Sequence, residues 1–170
     1  ATRGQVARFQ ARGGEAWSLD PLALTDEAAV DRCAEQALSW ATQRLARGPV
    51  LIYSTAEPTQ VQAVQQQWGV QAAGERVEQT LARIAQGLVR AGVRQLVVAG
   101  GETSGACVQA LQISQLHIGA QIDPGVPWCH AHSPLVNEAL HLTLKSGNFG
   151  GEDFFHQAFV QLHPAPSRST

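Results

Sequence analysis

The chain contains no methionine, no paired cysteines, no excess of basic residues and no long apolar run. Without methionine it does not begin at an initiator residue, so it reads as a piece of a longer protein. Cys33, Cys107 and Cys129 are far apart, odd in number and form no C-x-x-C pair. That pattern excludes a disulfide framework and fits a reducing compartment, so the expected location is the cytoplasm. Twelve basic against fourteen acidic residues leave a net charge of −2. A nucleic-acid binder would show a basic patch, so no nucleic-acid partner is expected. No apolar run approaches the roughly 20 residues of a membrane span. The start, Ala1-Thr2-Arg3-Gly4, lacks the basic-then-apolar layout of a signal peptide. No membrane partner is expected either.

What is present reads as one globular domain. At 170 residues, 44% hydrophobic and 15% charged, the chain is long and apolar enough to bury a core. A first helix is predicted from Thr2 to Arg12, stopped by Gly13-Gly14. A short strand at Ala16–Leu19 follows. The next helix is capped by Thr25 or Asp26, with Val30, Ala34, Ala37, Ala41 and Leu45 as its buried stripe. Val50–Tyr53 is a continuous apolar strand of the kind found in parallel sheets. Helices are predicted at Thr59–Trp68 and along Val77, Leu81, Ile84, Leu88 and Ala91, and a strand at Leu96–Ala99. A helix at Ser104–Gln112, a strand at Leu116–Gln121 and a turn-rich connection at Asp123–Pro127 come next. Leu140, Leu142 and Leu144 alternate as a strand, and Glu152 or Asp153 opens a last helix stopped by Pro164 and Pro166. Strands alternating with helices predict an α/β layered domain with a mostly parallel central sheet flanked by helices.

Two glycine-rich turns stand at strand ends. Gly100-Gly101-Glu102-Thr103-Ser104-Gly105 follows Leu96–Ala99, and Lys145-Ser146-Gly147-Asn148-Phe149-Gly150-Gly151 follows Leu140–Leu144. Glycine lets backbone N–H groups face a ligand, and a following helix adds unpaired N–H groups and a positive dipole end. Ligands in such sheets sit beyond the strands' carboxyl ends. Neither turn matches a G-x-G-x-x-G fingerprint or a P-loop. The pattern alone leaves two readings open: a phosphate cradle, or tight turns that need positive φ. Thr103 and Ser104 fit phosphate hydrogen bonding or helix capping, and Glu102 a metal or ribose contact or a solvated carboxylate. Lys145 fits a phosphate counter-charge or a surface lysine.

Other residues carry weaker signals. Cys129, His130 and His132 form a C-H-x-H cluster that suggests zinc, although a structural site needs four ligands and the stretch reads better as an exposed loop. His117 and His141 are packed or surface strand residues. Cys107 is an inert buried thiol unless the helix start lowers its pKa. Asp153 is a candidate base or metal ligand with an adequate structural reading as a helix N-terminal carboxylate.

Three ordered segments carry a resemblance: Gly100–Ala106, Pro124-Gly125-Val126-Pro127-Trp128 and Leu144–Gly150. Together, and over nearly the whole chain, they resemble the C-terminal nucleotide-binding domain of the four-carbon acid sugar kinases. The resemblance implies ATP-dependent phosphorylation of the terminal hydroxyl of a tetronate or 3-oxo-tetronate, with ATP and Mg²⁺ as cofactors. It implies ATP contacts at Gly100, Gly101, Glu102, Thr103 and Gly147, with Ser104, Lys145, Ser146 and Asn148 as further candidates; no metal ligand and no catalytic residue is assigned. It further implies that residues 1–163 form the nucleotide-binding domain; Pro164 and Pro166, which stop the last helix, leave 164–170 as an expected mobile tail. The acid sugar would be bound by a separate N-terminal domain, absent here, as is a Ser-Gly-Ser-Cys-Ser segment expected just before Ala1. The alternatives are a non-catalytic nucleotide- or anion-binding regulatory module and a zinc-binding interaction domain.

Overall fold

Local chemistry starts the elements where the sequence marks them. The Asp26 carboxylate accepts from the Ala29 backbone N–H at 2.7 Å and so caps helix α2 (Glu27–Thr42). The small residues Ala34, Ala37 and Ala41 line its buried side. They let α2 lie close against α4 (Val70–Arg90), whose Ile84 and Leu88 complete the cluster. The computed structural model describes residues 2–54 and 58–163. The expected tail 164–170, with Pro164 and Pro166, lies outside the described residues.

Helices cover both faces of the strands. On one face lie α2, α4 and α5 (Gly101–Ala110), with α3 (Pro58–Trp68) against α4. On the other face α1 (Thr2–Ala11) packs on α6 (Phe154–Leu162), burying Val6, Phe154, Phe155 and Ala158 with Val126 and Trp128.

The strands form two separate groups. β1 (Glu15–Ser18) pairs in parallel with β2 (Val50–Tyr53). β3 (Gln95–Ala99), β6 (Leu140–Lys145), β5 (Val126–Ala131) and β4 (Leu116–Asp123) form a four-stranded sheet in that spatial order. Only β3 and β6 run parallel there; β6–β5 and β5–β4 are antiparallel. The expectation of a mostly parallel central sheet is therefore corrected to a mixed one. The reason is the segment read as a connection at Asp123–Pro127. Asp123 pairs directly with Val126, so Pro124-Gly125 makes a tight hairpin turn, with Gly125 at φ +78°. Pro127 and the polar residues after it disguise β5, although Val126, Trp128, Cys129 and Ala131 on it are buried.

Candidate functional site

The pairing of β3 with β6 places the two glycine turns side by side. Ala99 stands opposite Lys145, and the Gly100 N–H donates to the Lys145 carbonyl at 2.7 Å. Both turns leave the sheet at the same carboxyl edge.

The first turn is also the N-terminus of α5. The helix begins at Gly101 rather than Ser104, with Gly100 as N-cap at φ +109° and no side chain capping it. A left-handed backbone here favours glycine. Thr103 and Ser104 lie within the first turn and are not caps. By helix construction the leading N–H groups lack intrahelical acceptors and point toward the edge. Space is open around Gly101, where an added Cβ would meet nothing within 4 Å. The Ser104 hydroxyl is buried and has no hydrogen-bond partner, while Glu102 is exposed. A buried unpaired hydroxyl is costly and fits a site completed by a ligand.

The second turn is held from behind. Lys145 is wholly buried, and its ammonium donates to the carbonyls of Ser146 at 3.1 Å and Gly147 at 3.2 Å. Among the described residues no carboxylate pairs with it. Burial pushes its pKa below the usual lysine range. Lys145 is thus neither a surface lysine nor a freely swinging one. Ser146 and Asn148 are exposed at the turn, and Gly147 is half-buried. Helix α1 supplies residues that sequence reading overlooked. Gln5, almost fully buried, donates through Nε2 to the carbonyls of Phe149, Gly150 and Gly151, and Thr2 Oγ1 donates to Gly147 O at 3.2 Å. Little in the sequence marked Gln5, because Val6 and Phe9 are the helix's only large apolar residues and define no clear stripe.

An acidic pair flanks the first turn. Glu78 of α4 lies near enough to Glu102 to feel its carboxylate. Burial first, and Glu102 second, hold the Glu78 carboxyl above its usual range. Among the described residues no three His, Cys, Asp or Glu side chains gather closely enough to hold a metal ion by themselves.

The remaining candidates separate from the turns. Cys129, His130 and His132 do not cluster. Cys129 and His130 are successive residues of β5, which point to opposite faces: Cys129 is buried, and exposed His130 packs its ring edge-on against His141 at 4.6 Å. The exposed-loop reading and the zinc cluster both fail for that reason. Cys107 is buried, which pushes its thiol up to about 11, as an inert thiol requires. Asp153 precedes α6 without capping it. Its carboxylate accepts from Arg12 and Arg8 instead, which hold it below the usual range and make it a poor proton acceptor. Among the described residues no helix is long and apolar enough to cross a membrane.

Comparison with known proteins identifies the family. The chain is 55% identical over 166 residues to a 3-oxo-tetronate kinase of Burkholderia multivorans, covering 97% of this chain and 37% of that protein. It is 52% identical over 162 residues to a 3-oxo-tetronate kinase of Pseudomonas fluorescens, covering 95% of this chain and 36% of that protein. The chain therefore spans little more than a third of these curated relatives. A crystal structure of Haemophilus influenzae protein HI1011, of the DUF1537 family, superposes with a TM-score of 0.80 at 39% identity, over 93% of this chain and 37% of that one. Residues 1–155 match the family model described as the nucleotide-binding C-terminal domain, and the chain belongs to that family.

Proposed function

We propose that the paired glycine turns hold the triphosphate of ATP, and that the chain is the nucleotide-binding half of a kinase. The kinase would phosphorylate the terminal hydroxyl of a four-carbon acid sugar, a tetronate or 3-oxo-tetronate. The observation that carries this is the Ala99–Lys145 register. It sets the open N-terminus of α5 and the orphan Ser104 hydroxyl beside the Ser146–Asn148 turn. Gly100, Gly101, Glu102, Thr103 and Ser104 form one wall, and Lys145, Ser146, Gly147 and Asn148 the other. Lys145 acts from beneath: it fixes the second turn and adds positive potential through a low-dielectric layer.

The donor set fits Mg²⁺ brought in with the nucleotide. Glu78 and Glu102 offer hard carboxylate oxygens whose mutual repulsion a cation relieves, and two carboxylates plus phosphates is a usual Mg²⁺ environment. When bound, the ion would neutralise phosphate charge during transfer. The chain's own part is positioning and charge stabilisation, which dominate phosphoryl transfer. The acid sugar would be presented by an N-terminal domain, and closure of the two halves would exclude water.

On this reading the chain alone binds ATP weakly and transfers nothing. Calorimetric titration with ATP and Mg²⁺ checks the first half; a folded protein giving no heat at millimolar nucleotide overturns it. Mixing with a separately made sugar-binding half checks the second. Restored tetronate phosphorylation supports the kinase, whereas ATP binding with no transfer favours a regulatory module.

A further inference from the structure

Four of the six histidines gather at the amino edge of β3 and β6, the end of the four-stranded sheet away from the glycine turns. His117 of β4 pairs with His130 of β5, and His130 pairs in turn with His141 of β6. Gln95 of β3 stands opposite His141 and is hydrogen-bonded to His163, the residue that follows α6. Partners in register share a face, so His117, His130, His141 and Gln95 form one row across all four strands. The row lies on the α6 face, because Trp128, two residues before His130, bonds to the Ala158 carbonyl there. Helix α6 ends at Leu162 and leaves the row open to solvent: His117, His130 and His163 are exposed and His141 is half-buried.

Packing gives no reason for such a row, since neighbouring imidazoles repel one another once protonated. Burial first, then His130 and His163, hold the His141 pKa below the usual histidine range. His141 is therefore neutral at neutral pH, with a ring-nitrogen lone pair to offer. Its ring meets that of His130 edge-on with centroids 4.6 Å apart, and among the described residues no hydrogen bond engages either ring. Two imidazoles that bind one cation at ~2.0–2.1 Å, roughly 90–110° apart around it, have ring centroids ~4.5–5.2 Å apart. The observed spacing falls in that range. Gly119 keeps His130 uncovered: a Cβ added there would come within 3.5 Å of its Nε2.

We propose that His130 and His141 form a solvent-open chelate for a divalent transition-metal cation of the Zn²⁺ and Ni²⁺ class. Imidazole suits that class, and a row without carboxylates is a poor host for Mg²⁺ or Ca²⁺. Among the described residues no third His, Cys, Asp or Glu comes close enough to complete the set, so water fills the remaining positions. The pair replaces the C-H-x-H cluster as the metal-binding feature of this stretch, because Cys129 points to the opposite face. His141 stands four residues along β6 from Lys145, ~13 Å at ~3.3 Å per residue, so the site is independent of the nucleotide reading.

Calorimetric titration of the chain, free of any affinity tag, with Zn²⁺ and with Ni²⁺ tests this. One cation should bind per chain, and Mg²⁺ should not displace it. In nitrogen-15 spectra the ring nitrogens of His130 and His141 should shift together on adding Zn²⁺. His130→Gln and His141→Gln should each weaken binding at least about ten-fold, because losing a residue that merely orients a ligand already costs ~10–100-fold. His132→Gln and His156→Gln, outside the row, should leave binding unchanged. No heat with either cation overturns the proposal. So does Zn²⁺ that binds both row variants as tightly as the native chain, or that shifts Cys33 in place of the two rings. His130 is exposed, so its variant decides the matter even if His141→Gln fails to fold.

Discussion

Lys145 is the single lysine of the sequence, and none of it reaches solvent. A charge so placed opposes folding unless its partners compensate, and two carbonyl acceptors compensate only in part. Burial lowers its pKa in the folded state, so the unfolded chain binds the extra proton. Stability should therefore rise as pH climbs from the depressed folded value toward the ordinary lysine value of 10.5. Urea midpoints for the native protein and Lys145→Met, followed from neutral pH to that value, check this. The native protein should gain stability over the window and the methionine variant should not. Met should also fold at least as well at neutral pH while weakening nucleotide binding. An unchanged nucleotide affinity would remove Lys145 from the site.

Strand β5 shows what an element owes to its surroundings. Trp128 on it is almost fully buried, donates through Nε1 to the Ala158 carbonyl at 2.8 Å and packs edge-on against Phe159. That bond ties the middle of the sheet to α6, whose start follows the second glycine turn. Trp128→Phe should keep most of the packing but lose the indole hydrogen bond to Ala158. The expected cost is about 1–3 kcal/mol in chemical denaturation, with little change in far-ultraviolet circular dichroism. A sequence reader meets Pro124, Gly125 and Pro127 together and reads a turn, yet only Pro124-Gly125 turns. The helices α2 and α4 were legible because their apolar spacing repeats over many residues. β5 was not, because strand pairing is decided by partners distant in sequence.

For the whole molecule, the consequence of the split sheet is two open strand edges. Unpaired edges recruit other strands. The 170-residue chain by itself should therefore self-associate as its concentration rises, measured by sedimentation velocity. A charged substitution on one of these edges, Leu51→Lys, should suppress that association. Equal association with and without the substitution would mean that the edges at β2 and β3 are not its cause.

The amino-acid order alone determined the helices, the two glycine turns and the family resemblance, because each rests on local spacing or contiguous motifs. Only the tertiary structure decided that β3 and β6 are neighbours, so that two turns more than forty residues apart lie side by side. It also decided that Lys145 is buried, that Gln5 braces the second turn, that Cys129 and His130 face apart, and that the sheet is mixed and split. These depend on which distant backbone groups meet once apolar side chains leave water, and no local pattern records that pairing.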